Sequence, residues 1–210
     1  MPILGSRMND YKDIEPVFVG FSQSIGKLPM VLLGKAIRVF TGGDVNHAWV
    51  VYWDKNWSAW LIVGANSNGL TFDSLPNFLK SHKVIYLFSA ENFRLWEGLS
   101  AHVNDLNTGY DYRGLINMSW VEVGKKITGH PWGNLLANDH RLFCSEWCSE
   151  FIKTAIAISH LEKEWPLWNN GYHDNQVDPT FLCNEIITAP KLWTLIDKEV
   201  ITKPWINLSK

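Results

Sequence analysis

The stretch Leu142-Phe143-Cys144-Ser145-Glu146-Trp147-Cys148-Ser149-Glu150-Phe151 carries the residues best able to do chemistry. Phe151, Ile152, Ala155 and Ile158 follow at helical spacing, which predicts a helix that opens near Cys144 and runs to about Ser159. A thiol in the first turn of a helix faces unpaired backbone N–H groups and the positive end of the helix dipole. That setting favours thiolate, the form that attacks carbonyl carbon. The competing reading is an apolar cysteine on a core helix, and the stretch alone does not separate the two. Glu146 in the first turn suits the helix dipole, and its charge opposes a thiolate if it turns toward Cys144. Cys148 and Cys183 read as core residues.

A cysteine nucleophile needs a base, and the base needs a group to orient it. Of the seven histidines, His47 stands out because it begins an apolar strand directly after the turn Thr41-Gly42-Gly43-Asp44. A residue there is held by the sheet yet can face an open edge. His140 lies in the loop just before Cys144. His130 and His173 also fall in loops, and His82, His102 and His160 read as surface positions. Cys144 and Cys148, four apart, share a helix face, but no CxxC or HxxxH partner supplies the remaining ligands of a zinc site. No metal and no cofactor is expected.

The elements that must position these residues follow from periodicity. Asn46 to Trp53 and Ala59 to Ala65 read as a hairpin of two apolar strands, and Lys83 to Phe88 as a third good strand. Pro16 to Phe21 reads as a short strand, Lys27 to Phe40 as a helix, Leu70 to Phe72 as a brief pairing and Leu75 to Leu79 as a turn or short helix. Beyond residue 90 the period becomes helical, with helices over Glu91–Leu106 and Tyr112–Ile127. A loop follows over Thr128–Asp139, then the Cys144 helix. Leu161 to Asp178, rich in Trp and Asn, reads as a surface excursion, and Asp178-Pro179-Thr180 opens a short helix. Residues 191–200 and 201–210 close the chain as a strand or short helix. Residues 1–13 read as a loose lead-in to a single domain over 1–210. Strands first and helices grouped around them predict an α+β fold, a small antiparallel sheet with packed helices.

Composition narrows the function classes. A net charge of −2 without a basic tract gives no nucleic-acid footprint. Apolar content of 46% with 19% charged residues fits a packed globular core. Three cysteines, an odd count without framework spacing, argue against a disulfide scaffold. No run approaches the ~18 apolar residues of a membrane span, so no integral membrane segment is expected. The first ten residues hold no apolar signal-like core, which predicts a cytoplasmic protein or one released by lysis, as in phage. Twelve tryptophans are many for 210 residues, and most should fill the core or wall a cleft.

The order of strand-end histidine, hairpin, third strand, helices and Cys-Ser-Glu at a helix start resembles the permuted NlpC/P60 group of papain-like cysteine hydrolases and acyltransferases. That branch also holds the lecithin:retinol acyltransferase-like proteins. Asp44-Val45-Asn46-His47-Ala48-Trp49-Val50 matches the histidine strand, Gly109-Tyr110-Asp111-Tyr112 a glycine-tyrosine segment, and Phe143-Cys144-Ser145-Glu146 the nucleophile signature. The likeness spans roughly residues 14–185, and its specificity lies in the order of motifs, each weak alone. It implies a papain-like fold in which Cys144 forms a thioester with an acyl group and His47 is the general base. It implies that Tyr110 lies beside the nucleophile, orienting substrate or helping to hold the oxyanion. The Cys144 backbone N–H, opening the helix, would be the oxyanion donor. Two substrate classes follow from it: a peptidoglycan peptide, cleaved by an amidase or thiol peptidase, or a lipid ester.

The sequence departs from that pattern on the strand after the histidine strand. Family members often carry a polar third residue there, and this chain has Gly64-Ala65. Asn66, two residues on, faces the same side if the strand persists and can hold a histidine tautomer. The departure leaves room for an alternative: a weak or inactive member that serves as a binding or structural module, with a protein partner on the Trp-rich stretch 161–178.

Overall fold

Runs of β-branched and aromatic residues broken by turn residues build most of the sheet. The structure, a computed structural model, describes residues 16–26, 30–66, 69–105, 109–110, 127–128, 141–165 and 173–203. In chain order the elements are β1 (Val17–Ser24), α1 (Met30–Thr41), β2 (His47–Asp54), β3 (Ala59–Asn66), β4 (Gly69–Ser74), α2 (Leu75–Phe78) and β5 (His82–Ala90). There follow α3 (Leu95–Ala101), β6 (Gly109–Tyr110), β7 (Arg141–Leu142), α4 (Cys144–Ile158), α5 (Pro179–Thr188) and β8 (Trp193–Leu195), with short 3-10 turns between and after them. The lead-in 1–13 and, but for residues 127–128, the expected helix over 112–127 and loop over 128–139 lie outside the described residues.

The fold is α+β, with a six-stranded sheet in the order β4-β3-β2-β1-β5-β8. Every neighbouring pair in it is antiparallel. A second, two-stranded ladder pairs β6 with β7 in parallel. The expected hairpin forms as β2 and β3, and β4 is a full strand rather than a brief pairing. β1 runs past Phe21 because Ser22 keeps partners on both sides, His47 in β2 and Val84 in β5, and Gln23 and Ser24 continue the pairing with β5, opposite Lys83 and His82.

Two expectations need correction. The helix expected over Glu91–Leu106 spans only Leu95–Ala101. The Glu91 N–H donates to the Leu192 carbonyl at 2.9 Å and Asn92 Nδ2 to the Lys191 carbonyl at 3.0 Å, which ties 91–92 to the turn before β8. The described part of 161–178 is no surface excursion either: Trp165, Val177 and Asp178 are buried. Asp178 caps α5, its carboxylate accepting from the Phe181 N–H at 2.9 Å, with Pro179 at the first helical position as the sequence suggests.

Side-chain alternation divides the core into two layers. On the first face, Val50, Tyr52, Val63 and Ala65 meet Trp147, Phe151 and Ile152 of α4 and Leu182 of α5. On the second, Trp49, Val51, Trp53, Trp60 and Ile62 meet Phe78 of α2 and Ile201 of the 3-10 turn Lys198–Thr202. α3 lies so close to α4 that a Cβ at Gly98 would sit 2.6 Å from the Phe151 carbonyl oxygen, so only glycine fits. Among the described residues the tryptophans serve mainly as filling: Trp49, Trp53, Trp60, Trp147, Trp165 and Trp193 are buried, and Trp57 and Trp96 are exposed.

Candidate functional site

Cys144 is the first residue of α4, after Phe143 in extended backbone. Glu146 turns back to the helix entrance, and its Oε2 accepts from the Phe143 N–H at 3.2 Å. Its role is therefore that of a cap. The next residue, Ser145, donates its hydroxyl to the Val177 carbonyl at 2.6 Å, which fastens the entrance of α4 to the segment before α5. The thiol is sealed in: Cys144 is 1% exposed and belongs to the first-face cluster with Trp147, Cys148 and Phe151. Burial, with Cys144 beside it, pushes the Cys148 thiol well above the ordinary range. Cys183 is pushed up to about 12 by burial and the nearby Asp44 carboxylate. Both are buried in the core, as the sequence suggests.

His47 stands on the other face. It alternates with Ala48 and shares its side of β2 with Trp49, Val51 and Trp53. Its ring lies 6.1 Å from that of Phe78 and 5.0 Å from that of His82, between centroids. Neither ring nitrogen has a hydrogen-bond partner among the described residues. The sheet thus separates the two members of the expected Cys144–His47 dyad. A histidine that begins a strand can face either side, and the register here sends it toward α2. Burial, aided by His82, lowers the His47 pKa to about 3. A group that weakly basic is a poor proton acceptor at neutral pH, where effective general bases have pKa values close to the working pH.

The position implied for the third group does face His47. A Cβ on Gly64 would lie 3.7 Å from His47 Nε2 and 3.3 Å from Trp49 Cβ, and glycine offers the ring no oxygen. Asn66 remains in β3, as its proposed role requires, but its Nδ2 donates to Thr71 Oγ1 at 2.7 Å and it makes no bond to His47. Tyr110 is placed through its backbone: in the parallel pair β6–β7 it stands opposite Leu142, two residues before Cys144. His130 and His140 lie outside the described residues.

The structure corrects the reading of two histidines as surface positions. His82 is half-buried and stacks flat on Phe78, with ring centroids 4.1 Å apart and 3° between planes. Its Nδ1 meets the Ser81 hydroxyl at 2.9 Å and the Phe78 carbonyl at 3.3 Å. Burial lowers its pKa, against the pull of the Phe78 carbonyl and Asp73. The signal for it was parity: His82 shares its side of β5 with Val84, on the face that takes His47. His102, after α3, contacts Asp105 Oδ2 through Nδ1 at 2.6 Å and Thr154 Oγ1 through Nε2 at 2.9 Å. Thr154 lies inside α4, where backbone N–H groups are taken by helix bonds, so the helix itself supplies no oxyanion donor to this acid–histidine–hydroxyl array. It ties α3 to α4.

One apolar recess opens beside these elements, a cavity of about 250 Å³ walled by Tyr52, Val63, Phe72, Trp96, Leu99 and Trp147. Ser100 and His102 add polar atoms at its side. The buried indole N–H of Trp147 has no acceptor among the described residues. No group of three or more His, Cys, Asp or Glu suited to a metal ion occurs among the described residues. No family model, no curated protein and no solved structure matches the chain.

Proposed function

We propose that the chain is a binding module that keeps the element order of thiol hydrolases without their chemistry. Its ligand is an apolar group, a short acyl chain or a single ring system, held in the cavity between α3, α4 and strands β2–β4. One observation carries the reading: the His47 imidazole and the Cys144 thiol belong to opposite faces of the sheet, and the thiol is 1% exposed. The size of the recess agrees with the ligand, since an apolar cavity of about 150 Å³ holds benzene and this one is about 250 Å³. Trp96, partly exposed at its wall, is a natural reporter.

Alkylation by iodoacetamide across pH, with each cysteine assigned by mass spectrometry, tests the proposal. Cys144 is expected to react as slowly as Cys148 in the folded protein and to be indifferent to His47→Ala. If Cys144 alone reacts well below the ~8.5 of an ordinary thiol, and His47→Ala slows it, the module reading fails. Titration with decanoate should quench tryptophan emission, and Trp96→Phe should remove most of that change.

A second reading is a thiol hydrolase or acyltransferase of the permuted NlpC/P60 kind, opening a peptidoglycan amide or a lipid ester through a thioester at Cys144. The start of α4 at Cys144 and the pairing of Tyr110 with Leu142 favour it. It requires a base other than His47, or a His47 that changes faces.

A further inference from the structure

α1 presents an apolar face to solvent. Leu32 is 58% and Val39 77% exposed, and Ala36 lies between them, so positions 32, 36 and 39 form one stripe. Ile25, shortly before the helix, is 54% exposed. The opposite side is fitted to the body: a Cβ on Gly34 would lie 2.0 Å from Asn46 Nδ2. Ile37, on the body side with Gly34, packs against the first-face core, so the exposed stripe is a second apolar face on the same helix.

Charge adds an independent observation. Residues 16–43 contain Lys27, Lys35 and Arg38 and no Asp or Glu, in a chain with net charge −2. Lys35 flanks the stripe, exposed, and Arg38 lies half-buried beside it. Among the described residues neither forms an ion pair, and the buried Arg38 Nε has no acceptor there. At 12 residues, α1 is too short to cross a bilayer. An exposed aliphatic stripe flanked on one side by an exposed Lys, on a helix without an acidic residue, suits a helix that lies in the plane of an anionic interface.

We propose that α1 docks the protein reversibly on bilayers that contain anionic lipid. Leu32, Ala36 and Val39 enter the boundary between headgroups and acyl chains, and Lys35 lies at the level of the phosphates. The proposal does not depend on the reading of the cavity or of Cys144.

Co-sedimentation with vesicles of phosphatidylcholine, alone or mixed with phosphatidylglycerol, tests it. Binding to the mixed vesicles should exceed binding to the neutral ones by roughly tenfold and fall with added salt. Lys35→Gln should weaken it about fivefold. Leu32→Asp combined with Val39→Asp should weaken it by on the order of tenfold or more. Both positions are exposed, so denaturation midpoints of the variants should stay close to the parent and separate lost docking from lost folding. Absence of binding to mixed vesicles, or binding that the double variant leaves unchanged, overturns the proposal. So does a dimer that forms without lipid and dissolves in the double variant, which would assign the stripe to a second copy of the chain.

Discussion

The two faces of the sheet are built from the same strands and do different things. The first is deep, covered by α3, α4 and α5, and holds the buried thiols Cys144 and Cys148. The second is thin, covered by a four-residue helix and a 3-10 turn, and holds the facing imidazoles of His47 and His82. Because neighbouring residues of a strand point to opposite sides, one position decides which layer a side chain joins. The nucleophile and the base of the expected site fall in different layers. The lesson is that matching motifs in the right order does not assemble a site; parity does.

The widest gap between the faces should appear in their contribution to stability. Trp147→Ala removes a fully buried indole from the deep layer and should cost about 4 kcal/mol. Trp53→Ala, 8% exposed in the thin layer, should cost less. Guanidinium denaturation of the two variants checks the order, and an equal loss would mean that the layers share one core.

The second contrast is in pH. The lowered pKa of His47, about 3 when folded, means that the unfolded chain takes up the proton first. Stability from this group is complete above the unfolded value near 6.5 and declines as pH falls toward 3. Between pH 7.5 and 5 the loss should be about 2 kcal/mol, with His82 acting in the same direction. Glu150, whose pKa is raised by burial and then by Asp174, works with the opposite sign. Denaturation midpoints at the two pH values, in the parent and in His47→Asn, isolate the histidine: the variant should show a clearly smaller acid loss.

Smaller effects sharpen the picture of the helical roof. Asp178→Ala removes the cap of α5 and should cost about 1 kcal/mol, seen as a lower thermal midpoint. Lys191→Ala breaks an exposed pair with Glu164 at 3.9 Å and should change stability by less than about 0.5 kcal/mol.

Local signals made much of the fold legible. The hairpin β2–β3, the strand β5, the opening of α4 at Cys144 and the Asp178 cap each follow from short runs whose neighbours agree with them. The shortened α3 was not legible, because the bonds that hold Glu91 and Asn92 come from Leu192 and Lys191, far along the chain. Trp165 read as surface because its neighbours are polar, while its ring lies 6.0 Å from that of Trp193 in the core. At the candidate site, the place of Cys144 at a helix start and the orientation of position 64 toward His47 were readable. The side of the sheet that α4 covers was not, since it depends on packing between elements.

The late position of β8 bears on how the chain folds during synthesis. Helices α3, α4 and α5 all lie in sequence between β5 and β8, and the hydroxyl of Thr194 reaches the Glu91 carboxylate across 103 positions. At about 5–20 residues per second on the ribosome, β5 waits several seconds or more for the strand that covers its edge. Throughout that interval its free N–H and C=O groups can pair with another nascent chain. A chain stopped before Trp193 would keep that edge open, and aggregation rather than loss of helix should be its first symptom.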